Sequence, residues 1–174
     1  MSTYHRGDLP SALLRAAAKI IEKQGIAGLS VREVARRARV SHNAPYRHFP
    51  DRDALLAGLA EEGFRLLGKK LGGKAGRAMG EAYVEFALEH PHRFRLMFGR
   101  QAGLAARQTY EALLDSFRTQ REIADPEKAA AAAWSLVHGL AHLLLDGHFA
   151  DQRTETFVSS VIGAVRFAAA QRPA

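Results

Sequence analysis

Two short helical segments separated by a tight turn stand between Leu29 and Phe49, LSVREVARRARVSHNAPYRHF. No other stretch of the chain limits the choice of fold as strongly. Ser30 precedes an apolar-periodic run and Glu33 follows three residues later. The spacing predicts a capping box, with the Ser30 hydroxyl accepting the Glu33 amide and the Glu33 carboxylate reaching back to the Ser30 N–H. Val34, Ala35 and Ala38 recur on one helical face while Arg32, Arg36, Arg37 and Arg39 fall on the others, so this helix buries a narrow stripe and shows water four guanidiniums. Ser41 is a second N-cap candidate, and His42, Asn43 and Ala44 form the first turn after it, where a helix-turn-helix presents side chains to base edges. Pro45 interferes with that second helix. Its missing N–H deletes the first intrahelical bond and its ring disfavours helical geometry at Ala44, which predicts a helix that starts loosely or late.

Charge is concentrated on the same part of the chain. Of the net +7, residues 1–52 carry +6, from ten Lys and Arg against four acids. A basic excess that coincides with a helix-turn-helix pattern suits a surface facing phosphates; the alternative is a solvated basic face without a ligand. With 174 residues there is enough chain for one or two small domains, and the lack of cysteine excludes both disulfides and thiolate metal sites. The N-terminal decapeptide MSTYHRGDLP has no apolar segment of the signal-peptide kind. The longest apolar stretch, Ala129 to Leu145, is Ala-rich and interrupted by Ser135, His138 and His142, so neither secretion nor a membrane span is expected.

The periodicity elsewhere is helical throughout, with no internal repeat and no convincing strand. Tyr4, His5 and Arg6 read as a terminal arm, either disordered or touching DNA. Pro10 suits a first helical position, and Leu13, Leu14, Ala17, Ile20 and Ile21 carry a helix up to Gly25. A fourth helix is expected from about Asp51 to Leu71, then a break at Leu71-Gly-Gly-Lys-Ala-Gly76. Beyond it come a helix with Met79, Tyr83, Phe86 and Ala87 that ends before Pro91, and a short segment with Phe94, Leu96, Met97 and Phe98. Further helices are expected at about Leu104 to Arg121, Glu127 to Leu145 and Glu155 to Ala170. The expected fold is all-α, with a three-helix DNA-binding domain over residues 1–50 and a helical domain over 51–174.

In the last two helices, the small side chains of Ala129 to Ala133 and the stripe Phe157, Val158, Val161, Ile162, Val165 and Ala169 suit either a monomer core or a four-helix interface between two copies. One recognition helix reads only a few base pairs, whereas two placed about 34 Å apart read a palindrome. The aromatic and methionine side chains Tyr83, Phe86, Phe94, Met97, Phe98, Trp134 and Phe149 are enough to line an apolar cavity or to fill an ordinary core. His138, His142 and Asp146 share one helical face at four-residue spacing. With His90 or His148 they could hold a metal, although without the Glu of an HExxH pattern the simpler role is hydrogen bonding in the core. No nucleophile elbow or phosphate-cradling glycine loop is present, and no enzymatic activity is expected.

Gly25 to Ala35, then Val40-Ser41, Tyr46-Arg47-His48-Phe49 and Asp51-Arg52-Asp53-Ala-Leu55, form an ordered set that resembles the DNA-binding domain of the TetR family of transcriptional regulators. The resemblance implies an all-helical homodimer, built through its last two helices, that binds a palindromic double-stranded operator and releases it when a small molecule enters the C-terminal domain. Carried over by position, Arg32, His42, Asn43, Ala44 and Tyr46 approach bases, and Ser41, Arg47, His48 and Arg52 approach phosphates. Pro45 stands where relatives more often have an aliphatic residue. The resemblance favours a cavity among Tyr83, Phe86, Phe94, Met97, Phe98, Trp134 and His138, with a largely apolar effector. Trp134-Ser-Leu-Val-His138-Gly139 also looks like the Trp-x-x-x-His-Gly signature of one C-terminal subgroup. It implies a cytoplasmic regulator, most simply a repressor, with no cofactor; a DNA-binding protein without an effector and a metal-binding helical protein are the alternatives.

Overall fold

The computed structural model describes residues 9–99, 104–120, 123–152 and 154–165, and they divide between two compact units. Helices among them are α1 (Leu9–Gln24), α2 (Val31–Ala38), α3 (Arg52–Leu71), α4 (Gly76–Glu89), α5 (Pro91–Met97), α6 (Leu104–Arg118), α7 (Pro126–Leu145) and α8 (Glu155–Ala164), with short 3₁₀ turns at Ile26–Gly28, Pro45–Arg47 and Ala150–Gln152. No strand occurs among the described residues. The arm Tyr4 to Arg6, Arg121 and Ala169 lie outside them.

The first unit takes residues up to Arg65 and, after a gap, His90–Gly103. The N-terminal part of α3 and Leu96 of α5 share its core. Leu13, Ala17, Ile20 and Ile21 of α1 meet Leu29, Val31 and Val34, with Leu55, Leu56 and Leu59 of α3 and Leu96 of α5 closing the cluster. Each fully buried leucine or isoleucine there contributes about 1.5–3 kcal/mol relative to exposure. Gly25 ends α1 at φ 70°, a conformation that costs glycine nothing. Gly58 is required for a different reason: a Cβ on it would lie 2.9 Å from the Phe49 ring, so the chain leaving the turn segment can rest on α3 only where no side chain intervenes. Further along, Phe64 and Phe94 both meet Phe98 edge-on or tilted, at ring centroid separations of 5.1 and 5.0 Å.

The second unit holds the end of α3, α4 and α6 to α8. Asp125 accepts the Lys128 amide at 3.0 Å and Pro126 takes the first helical position, so α7 starts one residue earlier than expected. Thr154 caps α8 in the same way through the Phe157 amide. Ala129 and Ala130 are buried beneath Leu114 and Phe117 of α6, so the small residues at the start of α7 let α6 approach. Farther along α7, Val137, Leu140, Ala141 and Leu144 are buried, as are Ala82, Tyr83, Val84, Phe86 and Ala87 of α4. Among the described residues α7 alone is long and apolar enough to cross a bilayer, yet it packs on α4 and α6 as a core helix of this unit.

Candidate functional site

The helix-turn-helix segment is held from below by apolar contacts and from its ends by caps. Ser30 accepts the Glu33 amide at 3.2 Å, as expected of a capping residue. The other half of the expected box differs. Both Glu33 carboxylate oxygens accept from Arg36, at 2.8 and 2.6 Å, because the guanidinium three residues on offers a bidentate, charge-assisted pair. That pair holds the Glu33 carboxyl below its ordinary range. Val31, Val34 and Ala35 are buried, while Arg32, Arg36, Arg37 and Arg39 are exposed. Arg39 ends the helix in the left-handed conformation, φ 56° and ψ 42°, with its N–H on the Arg36 carbonyl and the Val40 N–H on the Ala35 carbonyl.

The second helix of the pair departs from the expectation. Ser41 to Ala44 form a turn in which the Ala44 N–H donates to Ser41 O at 3.0 Å, and Pro45–Arg47 continue as a single 3₁₀ turn, not an α-helix. Pro45 explains the difference. It has no N–H to give the Ser41 carbonyl, so that oxygen is taken one residue earlier, and the tighter three-residue pattern carries on as far as the His48 N–H on Pro45 O. Ala44 still adopts right-handed helical dihedrals despite the proline after it. The backbone thus follows a helical sense with its pitch tightened, and Pro45 itself is buried.

Around that buried proline, Ser41, His42, Asn43, Tyr46, Arg47 and His48 are exposed and Ala44 is half-buried. Tyr46, 45% exposed, is one of three large apolar side chains among the described residues that face water. Together with Arg32, Arg37 and Arg39 these form a basic surface with hydroxyl, amide and imidazole groups at its centre. Its chemistry suits phosphate oxygens and base edges. Arg52 has a different position from its neighbours in this set. Its Nε donates to Leu29 O at 2.9 Å and its Nη2 to Ile26 O at 2.6 Å, so the start of α3 is tied to the segment that leads into α2. Sequence spacing carried no sign of that role, since the two carbonyls lie more than twenty positions away.

The residues expected to line a ligand cavity separate into the two units. Phe94, Met97 and Phe98 belong to the first unit, where Phe94 and Met97 are fully buried in its aromatic cluster. In the second unit a cavity of about 260 Å³ is bounded by Tyr83 and Trp134 together with Tyr110, Leu113, Phe117 and Val137. Phe86 is buried in the core and does not line it. Tyr110 and Leu113 went unnoticed in the sequence; the helical spacing of Tyr110, Leu113 and Phe117 on α6 was the available signal. The Tyr110 ring stacks on the Trp134 indole at a centroid separation of 5.2 Å and an angle of 25°.

A hydrogen-bonded chain runs from the cavity wall into α7. Trp134 Nε1 donates to the Tyr83 hydroxyl at 3.1 Å, and that hydroxyl lies 2.9 Å from His138 Nδ1. The Tyr83 oxygen thus ties the indole and the imidazole together through one atom. Burial pushes the Tyr83 hydroxyl far above its ordinary range, which keeps it a donor, while burial and then the nearby charge of His142 hold His138 below its own. His138 and His142 meet edge-to-face at 4.6 Å. Among the described residues no three His, Cys, Asp or Glu side chains gather as metal ligands, so the stripe His138, His142 and Asp146 is not assembled into a metal centre there.

Comparison with known proteins gives this geometry its context. Residues 13–59 match the family described as bacterial regulatory proteins, tetR family, and residues 77–170 match the tetracyclin repressor-like C-terminal domain. A protein of unknown function from Rhodococcus sp. RHA1 is 32% identical over 94% of this chain and 96% of that one, with a TM-score of 0.79. A putative TetR-family transcriptional regulator from Rhodococcus sp. shares the fold at 24% identity and a TM-score of 0.65, over 91% of this chain and 96% of its own. A TetR variant from Acinetobacter baumannii AYE, solved in complex with minocycline, does so at 20% identity and a TM-score of 0.62, over 93% of this chain and 96% of its own. With one family match over the helix-turn-helix and a second over more than half of the chain, the protein belongs to the TetR family of DNA-binding transcriptional regulators.

Proposed function

We propose that the protein is a cytoplasmic repressor that binds a palindromic operator as a homodimer and leaves it when a small molecule enters the C-terminal unit. The observation that carries the DNA half is the exposed set from Ser41 to His48, standing on a buried Pro45 amid four exposed arginines of α2 and its cap. Arg32 is suited to pair with guanine, Asn43 with adenine, and Tyr46 to lie against a thymine methyl, with His42 and Ala44 beside them. Ser41, Arg47 and His48 take phosphates, whereas Arg52 positions the segment through the Leu29 and Ile26 carbonyls.

Homodimerisation through α7 and α8 is supported by the outer face of α7. Ala132, Ser135 and Leu143 are exposed and Gly139 half-buried at helical spacing, Leu143 being 42% exposed. A Cβ on Gly139 would meet no heavy atom within 4 Å, so this side of the helix is open to a close neighbour. Gly139 completes Trp134-x-x-x-His138-Gly139, and the shared attachment of Trp134 and His138 to Tyr83 supports assignment to the subgroup with that signature. The effector reading rests on the aromatic-lined cavity, and the Acinetobacter baumannii neighbour of the same fold was solved in complex with a small molecule, minocycline.

The test is a sedimentation experiment with DNA from immediately upstream of the gene. Two chains per palindromic site, dissociated by a compound that binds the C-terminal unit, is the expected result; one chain per site, or a complex that no ligand of that unit releases, contradicts it. Within the interface, Arg47→Ala should weaken binding to every sequence and reduce the dependence of log K on log salt by about one, while Arg32→Ala should relax preference at one base pair.

A further inference from the structure

The cavity of the C-terminal unit carries more than the statement that something binds there. We infer that its ligand is an uncharged, flat, two-ring aromatic compound, an inference that rests on the effector reading above. Size is the first argument. An apolar protein cavity of about 150 Å³ holds a single benzene ring, so 260 Å³ has room for two fused rings. Shape is the second. Tyr110 and Trp134, stacked on one another, line the space together with Tyr83 and Phe117, so its wall is largely aromatic and favours a π-system over an aliphatic chain.

Charge is the third argument and the most selective. Arg77 is the one described residue on the wall that carries a full charge, and its guanidinium is engaged by Glu81, at 2.8 Å, and by the Ser159 hydroxyl. Three further donors on the wall are directed within the protein. Trp134 Nε1 goes to Tyr83 O, the Ser116 hydroxyl to Leu113 O at 2.7 Å, and the Gln120 amide to Ser116 O at 2.9 Å. Among the described residues the wall offers an anion no unneutralised cation in return for its lost hydration, and offers a cation no carboxylate. Neutral compounds meet neither obstacle.

The chain supplies its own reporter, since Trp134 is the sole tryptophan and its indole N–H gives one resolvable crosspeak in a ¹⁵N-correlated spectrum. The full-length protein is titrated at pH 7 with 2-naphthol, which is neutral, and with 2-naphthoate, its near-isosteric anion. The inference expects 2-naphthol to move the Trp134 crosspeak with saturation and 2-naphthoate to bind at least tenfold more weakly. Ala133→Phe, and separately Leu113→Phe, fill the space from two sides and should abolish the 2-naphthol response while thermal melts confirm the fold. Equal or tighter binding of 2-naphthoate, or a response that persists in both filled variants, overturns the inference, as does a crosspeak that neither compound moves. The effector reading fails separately. It fails if no compound of any class that binds the C-terminal unit releases operator DNA, and it survives if a charged or much larger compound does so.

Discussion

Replacing Tyr83 by Phe removes one oxygen and tests the chain that links the cavity wall to α7. That oxygen accepts from Trp134 and hydrogen-bonds with His138 Nδ1, and the residue is only 4% exposed. Two hydrogen bonds at about 1 kcal/mol net each are lost. Trp134 and His138 are both half-buried, so water satisfies part of what is left, and the orphan cost stays at the low end. A loss of about 2 kcal/mol follows, which for a chain of this length lowers Tm by about 4–8 °C. The pH dependence sharpens the test. The folded His138 binds a proton less readily than the unfolded one, so the unfolded state takes up more protons as pH falls below about 6.5 and stability declines there. Burial and then His142, not the Tyr83 oxygen, hold that affinity down, so the variant should lose as much stability as the parent between pH 7.5 and 5.5. Circular dichroism melts at both pH values measure this. An unchanged Tm at pH 7.5, or a variant whose loss of stability on acidification differs from the parent's, would refute the reasoning.

Arg39→Gly should stabilise the first unit by about 0.5–1 kcal/mol, because a left-handed residue other than glycine costs about 1–2 kcal/mol and glycine gives back part of that in backbone entropy; chemical denaturation reads it. Arg52→Ala removes two bonds to backbone carbonyls and should lower stability by about 1–3 kcal/mol while leaving the salt dependence of any remaining DNA binding unchanged, whereas a flattened salt slope would make Arg52 a phosphate contact. Leu143→Glu should convert the homodimer to a folded monomer in light scattering, with helicity retained; a dimer that persists would place the interface elsewhere. Pro45→Ala returns an N–H opposite Ser41 O, and amide exchange over residues 45–49 should slow as the 3₁₀ turn relaxes toward an α-helix.

The features legible in the sequence are those set by local rules. The Ser30 cap, the stop at Gly25 and the apolar stripes of α1 and α3 each follow from a few neighbouring residues, and the structure has them. Pro45 announced a disturbance, although only the geometry shows that a shortened hydrogen-bond register replaces the helix. Long-range pairings left no local trace. Glu33 chose Arg36 over its own cap because both partners were within reach and the charged one is stronger. The membership of α5 in the first unit, where Phe94 and Met97 are buried, depends on packing that periodicity cannot assign to one core over another. Likewise the Trp134 and His138 of the signature pattern gained a physical reason only when Tyr83, more than fifty residues away, was found between them.

Fluorescence anisotropy of the purified full chain on labelled DNA from immediately upstream of its gene, with excess unrelated DNA as competitor, tests the central claim most directly. The expected result is binding that survives the competitor, falls steeply with salt, and loses its sequence preference on Arg32→Ala. Binding that the competitor erases would leave only a basic surface and would contradict the assignment of Ser41 to His48 as a reading head for a specific operator.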